Sequence, residues 1–175
     1  MPRASPGRYD QQMTGTVESV NTSRGGVPKV SALEALITAH GVGGDAQDDL
    51  QHHGGPERAV VLFSLDLIRA LQAEGHPIAP GTTGENLTLS GLDWASICPG
   101  ATLRVGDVRL EIMREAPPCQ KIAGSFKGRH FTRISHKEHP GWSRLCARVL
   151  TGGIVRPGDQ VSVEVAGAGA SVHGV

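Results

Sequence analysis

The stretch ATLRVGDVRLEIMR (residues 101–114) alternates apolar and polar side chains on both sides of a central Gly106-Asp107 pair. Alternation with period two puts successive side chains on opposite faces, so ATLRV and VRLEIM read as two half-buried strands. A two-residue Gly-Asp connection between them reads as a tight hairpin, because glycine tolerates the left-handed backbone that such turns use. Similar patterning recurs in TGTVESVN (14–21), ARVLTGG (147–153) and DQVSVEV (159–165), and PGTTGENLTLSGLD (80–93) opens with a turn and runs into a further short strand. Against these strands stands one convincing helix, Leu65 to Glu74. Ser64 is placed as its N-cap, Leu65, Ile68 and Leu71 share one stripe, and Gly75 stops it. Many short strands with few helices predict a mainly β fold: an antiparallel sheet closed or partly closed into a β-barrel, with one or a few short helices.

Composition narrows the class. The 175 residues suit one domain with its own core, expected over 13–166, with flexible ends at 1–12 and 167–175 that lack apolar partners. Glycine contributes 24 residues and proline 11, so the chain turns often. Lysine plus arginine and aspartate plus glutamate both total 17, which gives no argument for nucleic-acid binding. The three cysteines, Cys98, Cys119 and Cys146, match neither a disulfide framework nor a zinc motif and are expected to be reduced. With no signal-like run and no membrane-length apolar segment, the expectation is a soluble cytoplasmic protein that contacts no membrane.

Four segments carry candidate chemistry. GVGGDAQDDLQHHGGPERAV (41–60) is too polar for core and too long for a simple turn. Its glycines, including Gly54 and Gly55, would let backbone amides approach an anion, with charge from His52, His53 and Arg58. The alternative is a solvated loop. His52 and His53 are adjacent and point apart in an extended segment, which argues against a shared metal. Glu85 and Asn86 at the head of the 80–93 strand suit turn chemistry first and ligand hydrogen bonds second. In EAPPCQKIAGSF (115–126) two prolines fix the approach to Cys119; a helical turn after it, together with Lys121, would favour the thiolate that a nucleophile, sulfur carrier or soft-metal ligand requires. Cys98 and Cys146 read instead as small buried hydrophobes. The cations Lys121, Lys127, Arg129, His130, Arg133, His136, Lys137 and His139 form either a solvated face or a loop over an anionic ligand.

Taken in order, GVGGDAQDDLQHHGGPERAV, PGTTGENLTLSGLD, PGATLRVGDVRLEI, PPCQKI and GWSRLCARVLTGGIVRPGDQV resemble the MOSC family, named for the C-terminal domain of molybdenum cofactor sulfurases. The likeness is to its short stand-alone branch related to YiiM. It implies a β-barrel-like fold with a pocket that binds the molybdenum cofactor (molybdopterin), Cys119 being the molybdenum ligand or a persulfide carrier. His53, Gly54 and Gly55 of the HGG loop, and Glu85 and Asn86, would line that pocket; Arg58 and Lys121 are candidate contacts to the pterin phosphate on charge alone. The activity implied is an oxidoreductase acting on N-hydroxylated bases or related compounds; the alternatives are a sulfur or cofactor carrier and a binding domain without chemistry. With no pyridoxal-phosphate, flavin or NAD site of its own, an oxidoreductase would need a separate electron-donor reductase, and exposed strand edges are compatible with a homodimer. One departure stands out. Close members carry a proline-arginine pair before the proline-cysteine element, whereas this chain has REAPPC, with Arg114 displaced.

Overall fold

The structure, a computed structural model, describes residues 13–46 and 55–164. The expected flexible ends at 1–12 and 167–175 therefore lie outside the described residues. In chain order the elements are β1 (Thr14–Thr22), β2 (Val30–Ala32), β3 (Ala35–Thr38), β4 (Gly41–Val42), β5 (Val60–Ser64), α1 (Leu65–Ala73), β6 (Leu87–Ser90), β7 (Thr102–Val105), β8 (Val108–Ala116), β9 (Arg144–Thr151), β10 (Gly153–Val155) and β11 (Gln160–Glu164). Seven strands run side by side in the order β11-β7-β8-β9-β5-β6-β1, and β1 pairs back onto β11 through Thr14↔Ser162 and Thr16↔Gln160. The sheet is thus a closed barrel, and closure removes the open edges that the ring's end strands would expose. β2 hangs on β1 outside the ring, and β10, β3 and β4 form a small separate sheet.

The 106–107 hairpin closes on the Val105↔Val108 pair, with Gly106 at φ 57°. One ladder departs from the antiparallel expectation. β5 and β6 run parallel, because parallel neighbours need a crossover connection and α1 supplies it. Helix α1 keeps the expected cap and stripe: Ser64 Oγ accepts from the Leu67 amide at 3.2 Å, and Leu65, Ile68 and Leu71 are buried. Gly75, at φ 95°, turns the chain away just beyond Glu74, the C-cap.

Two apolar cores result. Inward residues such as Leu62, Leu87, Leu103, Leu110, Leu145 and Val161 fill the barrel. A second cluster joins Phe63, Ile68 and Leu71 to Ile122, Phe126 and Ile134, which come from the short 3₁₀ turns after β8. Arg133 reinforces that junction: its guanidinium forks onto Glu74 at 2.7 and 3.0 Å and lies 4.0 Å from the centre of the Trp142 ring. The segment following Cys119 is therefore fastened to α1.

Gly15 of β1 faces the Ser90 carbonyl, and a Cβ there would stand 2.2 Å from that oxygen. Gly15→Ala is expected to cost about 1–3 kcal/mol of stability as overpacking. Gly124→Ala meets nothing within 4 Å and is expected to stay within about 0.5 kcal/mol. Urea denaturation of both variants checks the contrast.

Candidate functional site

The period of the strands fixes which side chains leave the barrel. On β9, Leu145 and Ala147 enter the core, so Arg144 and Cys146 point outward. On β5, Val60 and Leu62 point inward and Val61 outward. Register brings these outward residues together, with Val61 opposite Cys146 and Ala116 opposite Arg144. They form the floor of a cavity of about 110 Å³ on the outer wall of the barrel. Its sides come from Val27 and Lys29, Ala46, Arg58, Thr83 and Gly84, and from Pro117, Cys119, Lys121 and Ile122.

Cys119 is presented on a short, braced arm. β8 ends at Ala116, the two prolines extend the chain, and Cys119 sits in an extended conformation at the head of the 3₁₀ turn Gln120–Ser125. The Ile122 amide closes that turn onto the Cys119 carbonyl at 3.1 Å. Ile122 and Phe126 then sink into the second core. The thiol is left partly exposed.

Arg144 braces the arm from below. Its Nη2 donates to the Pro117 carbonyl at 3.1 Å and its Nη1 to the Thr83 carbonyl. The side chain is buried, yet its Nε has no acceptor among the described residues. Burial lowers its pKa, and the charge is supported by Glu85 first, then by Cys146 and Cys119.

Behind Thr83 lies a buried polar network. Glu85 accepts from the Gly81 amide at 2.6 Å, from Thr83 Oγ1 at 2.7 Å and from Thr88 Oγ1 at 3.1 Å. Burial pushes its carboxyl above the ordinary value, while the bonds from Thr83 and Gly81 oppose this. Gly81 must be glycine here, since at φ 84° a Cβ would meet the Lys29 carbonyl at 2.3 Å. Asn86 Oδ1 accepts from the Val61 amide at 3.0 Å and its Nδ2 donates to Asp45 at 2.9 Å. Asp45 also accepts from the Ser23 amide and pairs with Lys29.

Of the residues singled out by sequence, Cys119, Arg58 and Lys121 share the cavity lining. Glu85 and Asn86 stand behind the wall and do not line it. Gly55, at φ 99°, caps the 3₁₀ turn Pro56–Arg58 away from the lining. His52, His53 and Gly54 lie outside the described residues. Of the cations after Cys119 only Lys121 reaches the cavity; Arg133 is held by Glu74, and His136 lies 3.6 Å from Glu115.

Three of the lining residues with charged or thiol side chains were not anticipated there: Arg144, Lys29 and Cys146. The i, i+2 placement of Arg144 and Cys146 in SRLCARVL was the available signal, since Leu145 marks the inward face. Cys146 is buried as expected but borders the cavity, and burial pushes its thiol pKa up against the pull of Arg58, Arg144 and Arg114. Arg114, displaced in REAPPC, stands opposite Cys146 in the β8–β9 ladder, while Arg58 and Arg144 bring guanidinium groups to the pocket. Cys98 corrects the sequence reading. It is exposed, because its neighbours Trp94 and Ile97 take the inward positions of that turn. All three cysteines are free thiols. Among the described residues no three His, Cys, Asp or Glu side chains converge as a metal chelate. Among the described residues no helix is long and apolar enough to cross a membrane.

Residues 49–162 match the sequence model of the MOSC domain. YflK of Bacillus subtilis (strain 168), an uncharacterized protein, is 30% identical over 116 residues, which cover 66% of this chain and 52% of YflK. YiiM of Escherichia coli (strain K12) is 28% identical over 97 residues, or 53% of this chain and 43% of YiiM. The chain spans about half the length of these curated relatives. Two solved structures share the fold. YiiM of Geobacillus stearothermophilus has a TM-score of 0.68 at 22% identity, covering 89% of this chain and 78% of that one. The YuaD protein of Bacillus subtilis has a TM-score of 0.67 at 17% identity, covering 87% and 97%.

Glu85 gives the pocket wall a testable pH signature. With its folded pKa above the ordinary 4.5, the folded state holds the proton more tightly than the unfolded chain. The corresponding stability is complete below about 4.5 and is lost as pH rises through the raised value. Wild-type stability relative to Glu85→Gln, which cannot ionise, is therefore expected to fall as pH increases above 4.5. Urea denaturation at a series of pH values checks this, and parallel curves for the two proteins would contradict it.

Proposed function

Because the chain belongs to the MOSC domain family, which is related to the molybdenum cofactor, we propose that its outer-wall pocket binds that cofactor with Cys119 as the thiolate ligand of molybdenum. The reaction we assign is reduction of N-hydroxylated bases or related compounds. One observation carries this reading: a partly exposed thiol on a diproline arm shares its cavity with Arg58, Lys121 and Arg144. The bound cofactor would supply the redox chemistry.

The chain's own residues supply position and charge. The prolines hold Cys119 at the cavity, and Arg144 fixes the Pro117 carbonyl so that the arm keeps its direction. Val27, Val61 and Ile122 give the cavity apolar walls that limit water. Arg58, Lys121 and Arg144 meet the negative charge of a phosphorylated pterin. His53, Gly54 and Gly55 are kept as proposed cofactor contacts on the resemblance of the HGG loop alone, and Glu85 and Asn86 would act by holding the wall in shape. Electrons would come from a separate reductase, and the setting assigned is the cytoplasm.

A second reading draws on Cys146, which places another thiol beside the same cavity. In it the protein carries sulfur as a persulfide on Cys119 and hands it to a partner. Mass spectrometry would then find one added sulfur on Cys119, and N-hydroxylated compounds would not turn over.

Protein purified from a cofactor-producing host is expected to retain molybdenum and pterin in near-stoichiometric amount, and Cys119→Ala to lose both along with reduction of an N-hydroxylated base. Because Cys119 is partly exposed, the substitution should change stability by no more than about 1 kcal/mol. Equal cofactor retention by the two proteins would remove the ligand assignment.

A further inference from the structure

We infer that the outer face of the small β10-β3-β4 sheet, with the adjoining edge of β2, is the surface through which two copies of this chain pair about a twofold axis. The inference does not depend on what the pocket binds. An antiparallel sheet that covers a core on one face ordinarily turns polar side chains to water on the other. This sheet does not. Its inward residues Ala35, Ile37, Val42 and Val155 belong to the barrel core, whereas Leu36 and Ile154 stand opposite each other in the β3–β10 ladder and face outward, 53% and 43% exposed. Val30 on β2 and Leu33, which is 92% exposed, lead along the chain into β3, and Leu150 lies at the end of β9 just before the turn into β10. Together these are all the large apolar side chains that are exposed among the described residues. Single exposed apolar residues are ordinary, but their concentration on one face marks a contact surface.

Backbone and charge both select a second copy as the occupant. β2 pairs with β1 alone, and among the described residues no strand lies along its other edge. An open edge is a template for another strand, and two identical edges can pair antiparallel about a twofold axis. The charges flanking β3 and β10 are Glu34 and Arg156, which pair with each other at 2.7 Å beside the Ala35↔Val155 rung and are both about half exposed. A face that carries one acid and one base is complementary to itself. In a twofold contact, Glu34 of each copy can meet Arg156 of the other. Beside Leu150, Arg148 is likewise matched by Glu111. Such a face offers no excess positive charge to an anionic lipid surface and no net charge to a strongly charged protein. The whole chain, with 17 basic and 17 acidic residues, meets its own copy without net repulsion.

Sedimentation velocity of the full chain over a concentration series tests the inference. The wild type is expected to associate reversibly into a dimer at micromolar concentration. Leu33→Glu and Leu36→Glu, both at positions open to solvent, should each raise the dissociation constant at least tenfold while leaving the far-ultraviolet circular dichroism unchanged. Glu34→Arg and Arg156→Glu should each weaken self-association, because like charges then face each other across the axis. An equimolar mixture of these two variants restores opposite charges and should form a heterodimer at least tenfold tighter than either variant alone. If Leu36→Glu does not fold, Leu33→Glu and the mixture still decide. Cys119→Ala should dimerise like the wild type, so this inference and the ligand assignment can fail separately. A wild type that stays monomeric at high concentration would overturn the inference. So would a dimer that Leu33→Glu and Leu36→Glu leave unchanged, a mixture that associates no more tightly than its components, or a monomer that floats with phosphatidylcholine vesicles through this face.

Discussion

The guanidinium of Arg144 holds two backbone carbonyls that belong to different walls of the pocket, Thr83 before β6 and Pro117 after β8. That bridge ties the arm presenting Cys119 to the opposite wall. Buried carbonyls cost free energy when unpaired, so removing the fork would release both walls at once. The barrel explains why an arginine can stand there. Leu145 must enter the core, so its neighbours on β9 face the outer wall, where loops can cover a charged side chain without closing it off from ligand.

The pocket is supported on two sides by different physics. On one side, the apolar cluster of α1 and the 3₁₀ turns holds the residues that follow Cys119. On the other, Glu85, Asn86 and the Asp45–Lys29 pair tie the Asn21–Lys29 region, the start of the glycine-rich segment and β6 into one buried network. Apolar packing is tolerant in direction, whereas hydrogen bonds fix direction closely, and together they keep the thiol and the cations on the same small cavity. A fully satisfied network of this kind gives the wall one arrangement. Beside it, Arg144 Nε has no acceptor among the described residues.

Much of this architecture could be read from the sequence where a local rule governs. The 106–107 hairpin, the cap and stripe of α1 and the strands near the end of the chain follow from alternation, capping and glycine. β5 was missed because VVLF is apolar throughout before the capping Ser64: Val60 and Leu62 serve the barrel core while Phe63 serves the second one, so no alternation marks it. Its parallel pairing with β6 depends on the crossover, which periodicity does not encode. Cys119 was visible because two prolines mark it locally. Arg144 and Lys29 were not, because their place in the pocket is set by strand register and by ion pairing between segments distant in the chain. Glu85 and Asn86 were visible as polar residues at a turn, but that position alone does not say which way they face. Their hydrogen bonds show that they face into the protein.

Cys119 and Arg144 are proposed to form one ligand site. The most direct measurement is a crystal structure of the cofactor-loaded chain, with anomalous diffraction collected at the molybdenum absorption edge. A molybdenum peak at bonding distance from the Cys119 sulfur, with the ligand's phosphate against Arg144, is the expected result. A molybdenum peak remote from Cys119 in fully loaded protein would contradict it.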